Sequence, residues 1–284
     1  MISSTRYNAA AEINRQTELS KQIAQLQESV SSGKRLPAPS DDPGAAQRIS
    51  EIRQTQADQA VWTVNVNMGT SIASSVDTSL TNISAMFDRA KELVLSGRND
   101  TTSATDRTAI TQELQSIIDK LDTASTASDP TGAPLYPTSS PLAIPVSDTL
   151  SLPATAQRSQ VFGNVVTATG TLTLQQVLTA AITAINGTSA SRATDIQTSL
   201  DAIDDSAAHI TQVRADQGVR AQRFDSAAQD LENTGTDLAA ERNGLESTDL
   251  TYALSEFQAK QTALQAAQTL FARTNKSTLF DLVG

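Results

Sequence analysis

The chain has 284 residues, a formal net charge of −10 and no cysteine. The acidic balance disfavours nucleic acid as a partner, because neutralising phosphates requires clustered Lys and Arg, and the absence of cysteine excludes disulfides and thiolate chemistry. Only 38% of the residues are hydrophobic and 4% are aromatic, a composition that favours slender helical bundles over a thick core.

The first predicted helix runs from about residue 8 to residue 32. Its apolar stripe repeats at helical spacing and consists of Ile13, Leu19, Ile23, Leu26 and Val30. Gly33 follows as a C-terminal cap. No apolar signal segment precedes this helix, and no stretch approaches the roughly 20 apolar residues of a membrane span. We therefore expect no membrane insertion, and either a cytosolic protein or one exported by another route.

A second, very long helix is predicted after the connector 36–42. Asp42 followed by Pro43 is typical of an N-cap and a first helical residue. An apolar row with steps of three and four, which includes Val64 and Met68, continues to Val94, so a helix over 43–97 would measure about 80 Å. Another helix is predicted over 105–124.

The middle of the chain is rich in proline. Six of the nine prolines lie between Pro130 and Pro153, and proline interrupts helices. Here the pattern predicts turns and short strands over 142–146 and 149–152, a turn at 162–164, and a helix over 172–185.

The last third is again helical. One heptad register, interrupted by polar residues such as Arg214 and Gln217, runs from Ile196 to Leu245 and predicts coiled-coil packing against a partner helix. A final helix follows, and its stripe includes Leu250, Leu254, Phe257, Leu264 and Phe271.

These patterns predict a mainly α protein, in which both chain ends form a long helical bundle or coiled coil and a small β-containing outer domain is inserted. We expect three parts: a terminal coiled coil (1–42 with 246–284), a long-helix bundle (43–127 with 188–245) and a proline-rich outer domain (128–187). The terminal helices cannot bury their stripes alone, and helices of this kind depend on packing for stability. We expect them to be partly disordered in the isolated monomer and to become ordered on assembly.

Residues that could support catalysis are few. His209 is the only histidine, and its place beside the seam of a long helix favours a packing role. Asp204 and Asp205 point about 100° apart on a helix, so they cannot face one site together. We predict no enzyme activity, no cofactor and no metal. The polar helix faces lack the Lys and Arg of membrane-surface helices, which favours partner helices instead.

Two segments resemble bacterial flagellins and hook–filament junction proteins. Residues 31–53, SSGKRLPAPSDDPGAAQRISEIR, are similar to the signature that follows the first helix in this family, and residues 246–283 resemble its terminal helix. Residues 213–232 extend the resemblance, which covers roughly residues 1–125 and 190–284. The PSDDP of the connector and the STLFDL near the C-terminus resemble the junction branch of the family, with departures at Thr278 and after Asp281.

The resemblance implies a function. Such proteins leave the cell unfolded through the flagellar type III export apparatus, with an export chaperone and without a cleaved signal, and are extracellular components of the flagellum. The resemblance also implies that copies of the chain contact one another and form a layer between hook and filament. This layer would contact hook-associated protein on the hook side and flagellin on the filament side. The alternatives are a filament or minor flagellin, and a cell-surface glycan-binding module formed by residues 128–190.

The residues predicted to form the assembly interface are Ile13, Leu19, Ile23, Leu26, Val30, Leu250, Leu254, Phe257, Leu264, Phe271, Leu279 and Phe280. The residues predicted to form the connector and helix cap are Pro39, Ser40, Asp41, Asp42 and Pro43.

Overall fold

The computed structural model of the chain describes residues 2–35, 38–99, 103–129, 131–188 and 191–280, with side chains described between residues 9 and 273. Within these ranges the elements are α1 (Ile2–Ser32), α2 (Pro43–Gly97), α3 (Ala104–Ser125), β1 (Ala143–Pro145), β2 (Ser151–Pro153), α4 (Arg158–Phe162), β3 (Val165–Thr167), β4 (Gly170–Leu172), α5 (Leu174–Asn186), α6 (Arg192–Glu246) and α7 (Leu250–Phe280).

The mainly α architecture with a small β-containing insert is confirmed. Helix α2 begins and ends at the predicted residues, and α1 ends at Ser32 as predicted but already begins at Ile2. Gly33 has a φ of 69° and its N–H donates to the carbonyl of Ser29 at 2.9 Å, which is a left-handed C-terminal cap.

The insert contains more structure than its sequence indicated. The two predicted strands form an antiparallel hairpin, β1–β2, in which Ile144 pairs with Leu152. The short helix α4 and the second antiparallel hairpin, β3–β4, were not predicted, because elements of three to five residues are too short for periodicity to reveal. The predicted turn at 162–164 contains the end of α4 and Asn164, whose φ is 60°.

The chain forms two compact units. One contains Met1–Ala57 with Thr234–Gly284, and the other contains Asp58–Asn233. We call them the terminal unit and the central unit; α2 and α6 each contribute residues to both. The division into three parts stays a prediction.

Helix α2 contributes a long apolar row to the core of the central unit. Its members are at most 9% exposed and repeat at helical spacing: Ile72, Val76, Leu80, Ile83, Phe87, Ala90 and Val94. The prediction that Val64 and Met68 continue this row was wrong, since they are 67% and 36% exposed while Val66 is buried. The buried face is displaced near Gly69, which lies against the ring of Phe224 in α6.

The insert shares the core of the central unit. Its side chains Leu135, Tyr136 and Ile144 belong to one buried cluster with residues of α2, α3, α5 and α6. Gln217, a polar residue in the heptad pattern of α6, is buried and donates from Nε2 to the carbonyl of Ala154 in the insert at 2.9 Å. A buried amide needs such partners, so this polar position ties the insert to α6.

Candidate assembly interface

Helices α1 and α7 form an antiparallel pair in the terminal unit. Lys34 and Ser247 form an antiparallel bridge where α1 ends and α7 is about to begin. Farther along the pair, Nζ of Lys260 donates to Oε1 of Gln22 at 2.8 Å. These two contacts fix the register, which places the start of α7 beside the end of α1.

One heptad seam runs between the two helices. On α7 the seam positions follow steps of three and four and are Ala253, Phe257, Lys260, Leu264, Ala267 and Phe271. Ala253 and Ala267 are 4% and 2% exposed, and the other four are half-buried. On α1, the half-buried positions facing the seam include Leu19, Ile23, Leu26 and Val30. Alanine therefore permits close helix approach at the two most buried positions.

Several predicted interface residues lie outside this seam. Ile13, Leu250 and Leu254 are 52%, 48% and 45% exposed, so within one chain they remain open to solvent. The predicted Leu279 and Phe280 lie beyond the side chains that the structure describes. Sequence reasoning missed Ala253, Lys260 and Ala267, although a strict heptad count starting from Phe257 would have found them.

The exposed apolar residues of α7 flank the seam on both sides. With a rotation of about 100° per residue, Leu250 and Leu254 project to one side of the seam, whereas Tyr252 and Leu270 project to the other. Tyr252 and Leu270 are 63% and 62% exposed. We call these four residues the flanking residues. Their arrangement gives α7 apolar surface for helices other than α1.

The connector between α1 and α2 is closed by its two aspartates. Oδ2 of Asp41 accepts from the N–H of Ala38 at 3.1 Å. Oδ1 of Asp42 accepts from the N–H of Ala45 at 3.0 Å, so Asp42 is the N-cap of α2, and Pro43 is the first helical residue. Both carboxylates therefore accept backbone hydrogen bonds within this turn.

The same connector is joined to the segment that precedes α7. The N–H of Arg35 donates to the carbonyl of Glu246 at 2.8 Å, and the N–H of Thr248 donates to the carbonyl of Gly33 at 3.0 Å. The guanidinium of Arg35 also lies 3.5 Å from Oδ2 of Asp42. The two reversals of the chain in the terminal unit are therefore hydrogen-bonded to each other.

Ion pairs join α2 and α6 beside these reversals. Nε and Nη2 of Arg48 donate to the two carboxylate oxygens of Glu241 at 2.7 and 3.0 Å, a bidentate arrangement. The hydrogen bond from Arg48 lowers the pKa of Glu241. Arg53 pairs with Glu246 at 2.6 Å. Because these ion pairs are exposed, they add little to the free energy of folding, and their main effect is to fix the register of α2 against α6.

Groups suited to catalysis do not converge in the described part of the chain. Nε2 of His209 lies 3.3 Å from the carbonyl of Val161, a packing contact between α6 and α4. Among the residues that the structure describes, no group of three His, Cys, Asp or Glu side chains could hold a metal ion. None of the described helices combines the length and apolar character needed to cross a membrane.

Sequence comparison assigns these helices to a family. The bacterial flagellin N-terminal helical region matches residues 4–130, and the bacterial flagellin C-terminal helical region matches residues 200–283. The chain belongs to the bacterial flagellin family. It is a flagellin-like structural protein, and the segment between the two matches contains both hairpins, α4 and α5.

Individual flagellin-family proteins are similar over most of the chain. Flagellar hook-associated protein 3 of Escherichia coli is 25% identical over 292 aligned positions, which cover 90% of this chain and 91% of the relative. A flagellin of Halalkalibacterium halodurans is also 25% identical, over 88% of this chain and 86% of its own. The solved structure of a putative flagellar hook-associated protein from Vibrio parahaemolyticus has the same fold, with a TM-score of 0.65 at 18% identity, covering 73% of this chain and 100% of the other.

Proposed function

We propose that this chain is the structural subunit that joins the flagellar hook to the filament, and that it assembles through its paired terminal helices. The observation that carries the proposal is the incomplete burial of the α1–α7 pair. Its seam is closed by two alanines, while Leu254 and Leu270 remain 45% and 62% exposed on opposite flanks. Helices with apolar residues on both flanks of a seam are suited to a bundle with further helices.

Neighbouring copies can supply those helices. An arrangement in which one surface of a subunit binds a different surface of the next is heterologous, and it produces rings or helical layers. In the proposed assembly, the flanking residues of α7 pack against terminal helices of adjacent copies. Hook-associated protein then contacts the layer on the hook side, and flagellin contacts it on the filament side.

The junction role rests on two short motifs rather than on overall identity. The hook-associated relative and the flagellin relative are equally similar to the chain, at 25% each. The connector PSDDP at residues 39–43 and the STLFDL at residues 277–282 favour the junction branch. In the connector, Asp41 and Asp42 each accept a hydrogen bond from a backbone N–H, so both acidic residues of this motif stabilise the turn.

The proposal includes the route by which the chain reaches its place. We infer that it is exported unfolded through the flagellar type III apparatus, after release from an export chaperone, and becomes part of the extracellular flagellum. The absence of cysteine suits this route, because folding after export then needs no redox step.

Deletion of 264–284 tests the assembly function. In a strain whose own gene is deleted, the truncated chain should keep a folded central unit but should not support filaments on hooks, as counted by electron microscopy. A sharper test is the double variant Leu254→Gln with Leu270→Gln, which removes apolar surface on both flanks and leaves the seam intact.

The matched control for the double variant is Gln258→Glu with Gln265→Glu, because both glutamines are exposed on α7 and lie away from the seam. We expect wild-type filament numbers for this control. Normal filaments with the truncated chain or with the leucine variant would contradict the proposal.

The flagellin relative supports one alternative, a subunit of the filament shaft. Copy number separates the two functions, because a junction layer contains a fixed small number of subunits and a shaft contains a number that grows with filament length. Labelled antibody should therefore mark a single position near the hook; label along the whole filament would favour the shaft.

A further inference from the structure

The central unit contains an open pocket of about 600 Å³ between the end of α3, helix α4, hairpin β3–β4 and the start of α5. This volume lies within the range of roughly 300–1,000 Å³ that small-molecule sites occupy. We call it the Arg158 pocket. Polar side chains that line it include Asp122, Arg158, Asn164, Thr171, Gln175 and Gln176.

Short local elements create the walls of this pocket. Arg158 is the first residue of α4, and its N–H donates to the carbonyl of Pro137 at 2.9 Å. Phe162, also in α4, is held by an edge-to-face contact with Tyr136, with ring centroids 5.1 Å apart. On the opposite side, Thr173 and Gln176 form a capping box at the start of α5. The walls are therefore fixed by backbone and packing contacts.

Two residues of the pocket wall are held in energetically costly arrangements. Nε of Arg158 is buried and has no hydrogen-bond partner among the described residues, and an unsatisfied buried donor costs stability. Asn164 has a φ of 60°, a conformation that costs side-chain-bearing residues energy and that is often found at binding sites. Its Nδ2 donates to the carbonyl of Ser159 at 3.2 Å, which holds the strained residue against α4.

The charges and hydrogen-bonding groups of the lining indicate which class of ligand fits the pocket. The polar lining contains one carboxylate, that of Asp122, and one guanidinium, that of Arg158, so its formal charges balance and a neutral ligand leaves no net charge in the pocket. Amide and hydroxyl groups both donate and accept hydrogen bonds, as sugar hydroxyls do. We propose that the Arg158 pocket binds a neutral saccharide.

The pocket is largely separate from the features that define the family. Apart from Asp122 and Ser125, its lining residues lie between residues 138 and 176, outside the segments that the flagellin regions match. None of them belongs to the α1–α7 pair. Saccharide binding thus does not depend on the junction function, and the two proposals can fail independently.

Ligand-observed saturation-transfer NMR on the full chain tests the proposal. The probes are glucose, galactose, mannose and N-acetylglucosamine, each at millimolar concentration, with inorganic phosphate as the anionic comparison in a separate competition. We expect at least one sugar to bind and phosphate not to displace it.

Variants locate the site. Arg158→Gln should weaken binding of that sugar about tenfold, because it removes hydrogen bonds from a charged donor. Asn164→Gly removes the amide but retains a residue that tolerates positive φ, so it should fold at least as well as the wild type and also bind more weakly. The control is Arg223→Gln, at an exposed position of α6, which should bind like the wild type.

Three results would overturn the proposal: no binding of any of the four sugars, displacement of the bound sugar by phosphate, or binding that is equally strong in Asn164→Gly and in the wild type. Circular dichroism of each variant checks that the fold is retained, and Asn164→Gly decides the outcome if Arg158→Gln does not fold.

Discussion

The central unit and the terminal helix pair have similar helical periodicity but bury very different amounts of apolar surface. In the central unit, Leu80, Ile83 and Phe224 are at most 1% exposed. In the α1–α7 pair the large seam residues such as Leu264 are only half-buried, and the two most buried members of α7 are alanines. Since burial of apolar area is the main stabilising term, the central unit should be stable alone, and the terminal pair should depend on additional contacts.

Truncating one large side chain in each region should give the largest contrast. Phe224→Ala should lower the free energy of unfolding of the central unit by about 3–5 kcal/mol, because it leaves a cavity in a closed core. Leu264→Ala should lower that of the terminal pair by about 1 kcal/mol, because its side chain is already partly exposed. Urea titrations followed by circular dichroism measure both values, and equal losses would refute the contrast.

Two glycines test how tightly the core of the central unit is packed. A Cβ at Gly69 would overlap the ring of Phe224, whereas nothing lies within 4 Å of a Cβ at Gly218. Gly69→Ala should therefore destabilise the protein by about 1–3 kcal/mol through overpacking. Gly218→Ala, in the exposed interior of α6, should stabilise it by about 0.5–1 kcal/mol. Thermal unfolding of the two variants should give shifts of opposite sign, and a shared sign would show that Phe224 moves aside.

The connector gives a smaller effect that is confined to the terminal unit. Asp42→Ala removes the N-cap of α2 and should cost about 1 kcal/mol, whereas Asp42→Asn keeps a capping oxygen and should cost much less. Urea unfolding of the two variants checks the difference. If Asp42→Asn proved as harmful as Asp42→Ala, the charge of Asp42 and its contact with Arg35 would matter more than the cap.

The exposed ion pairs should affect the stability of the two regions almost equally. The pKa of Glu113 in the central unit is lowered by the hydrogen bond from Arg89, and the pKa of Glu241 in the terminal unit is lowered by that from Arg48. A carboxylate with a lowered folded-state pKa contributes stability above its unfolded pKa and loses it as the pH falls through the folded value.

Glu113→Gln and Glu241→Gln should therefore destabilise slightly at neutral pH and not at all in acid below the folded pKa values. Both pairs are exposed, so the two effects should be similarly small. Unfolding measured across a pH series tests this expectation, and a large effect for Glu241→Gln alone would assign the stability of the terminal unit to charge rather than to packing.

The sequence predicted the long helices well because their signals are local. The caps at Gly33 and Asp42, and the apolar steps of three and four within the helices, can be recognised without knowledge of distant contacts. The displaced face near Gly69 could not be predicted, because it depends on Phe224, more than a hundred residues away. The same holds for the Arg158 pocket, which is created by elements too short to show a period.

The predicted assembly interface stays a prediction, and its residues overlap only partly with the seam of the terminal pair. Weighting large apolar residues identified Leu19, Leu26 and Leu264, but it also included Ile13 and Leu254, which are exposed in a single chain. A search for large apolar residues passes over Ala253 and Ala267, which are identified by a strict heptad count from Phe257 and by their burial.

Hydrogen exchange measured by mass spectrometry, on the isolated chain and on purified hook–filament complexes, tests most directly whether neighbouring copies complete the terminal pair. In the isolated chain, amides of 9–30 and 253–271 should exchange far faster than those of 72–94, and they should become protected in the complexes while 72–94 changes little. Equal protection of all three segments in the isolated chain, with no gain on assembly, would contradict the account.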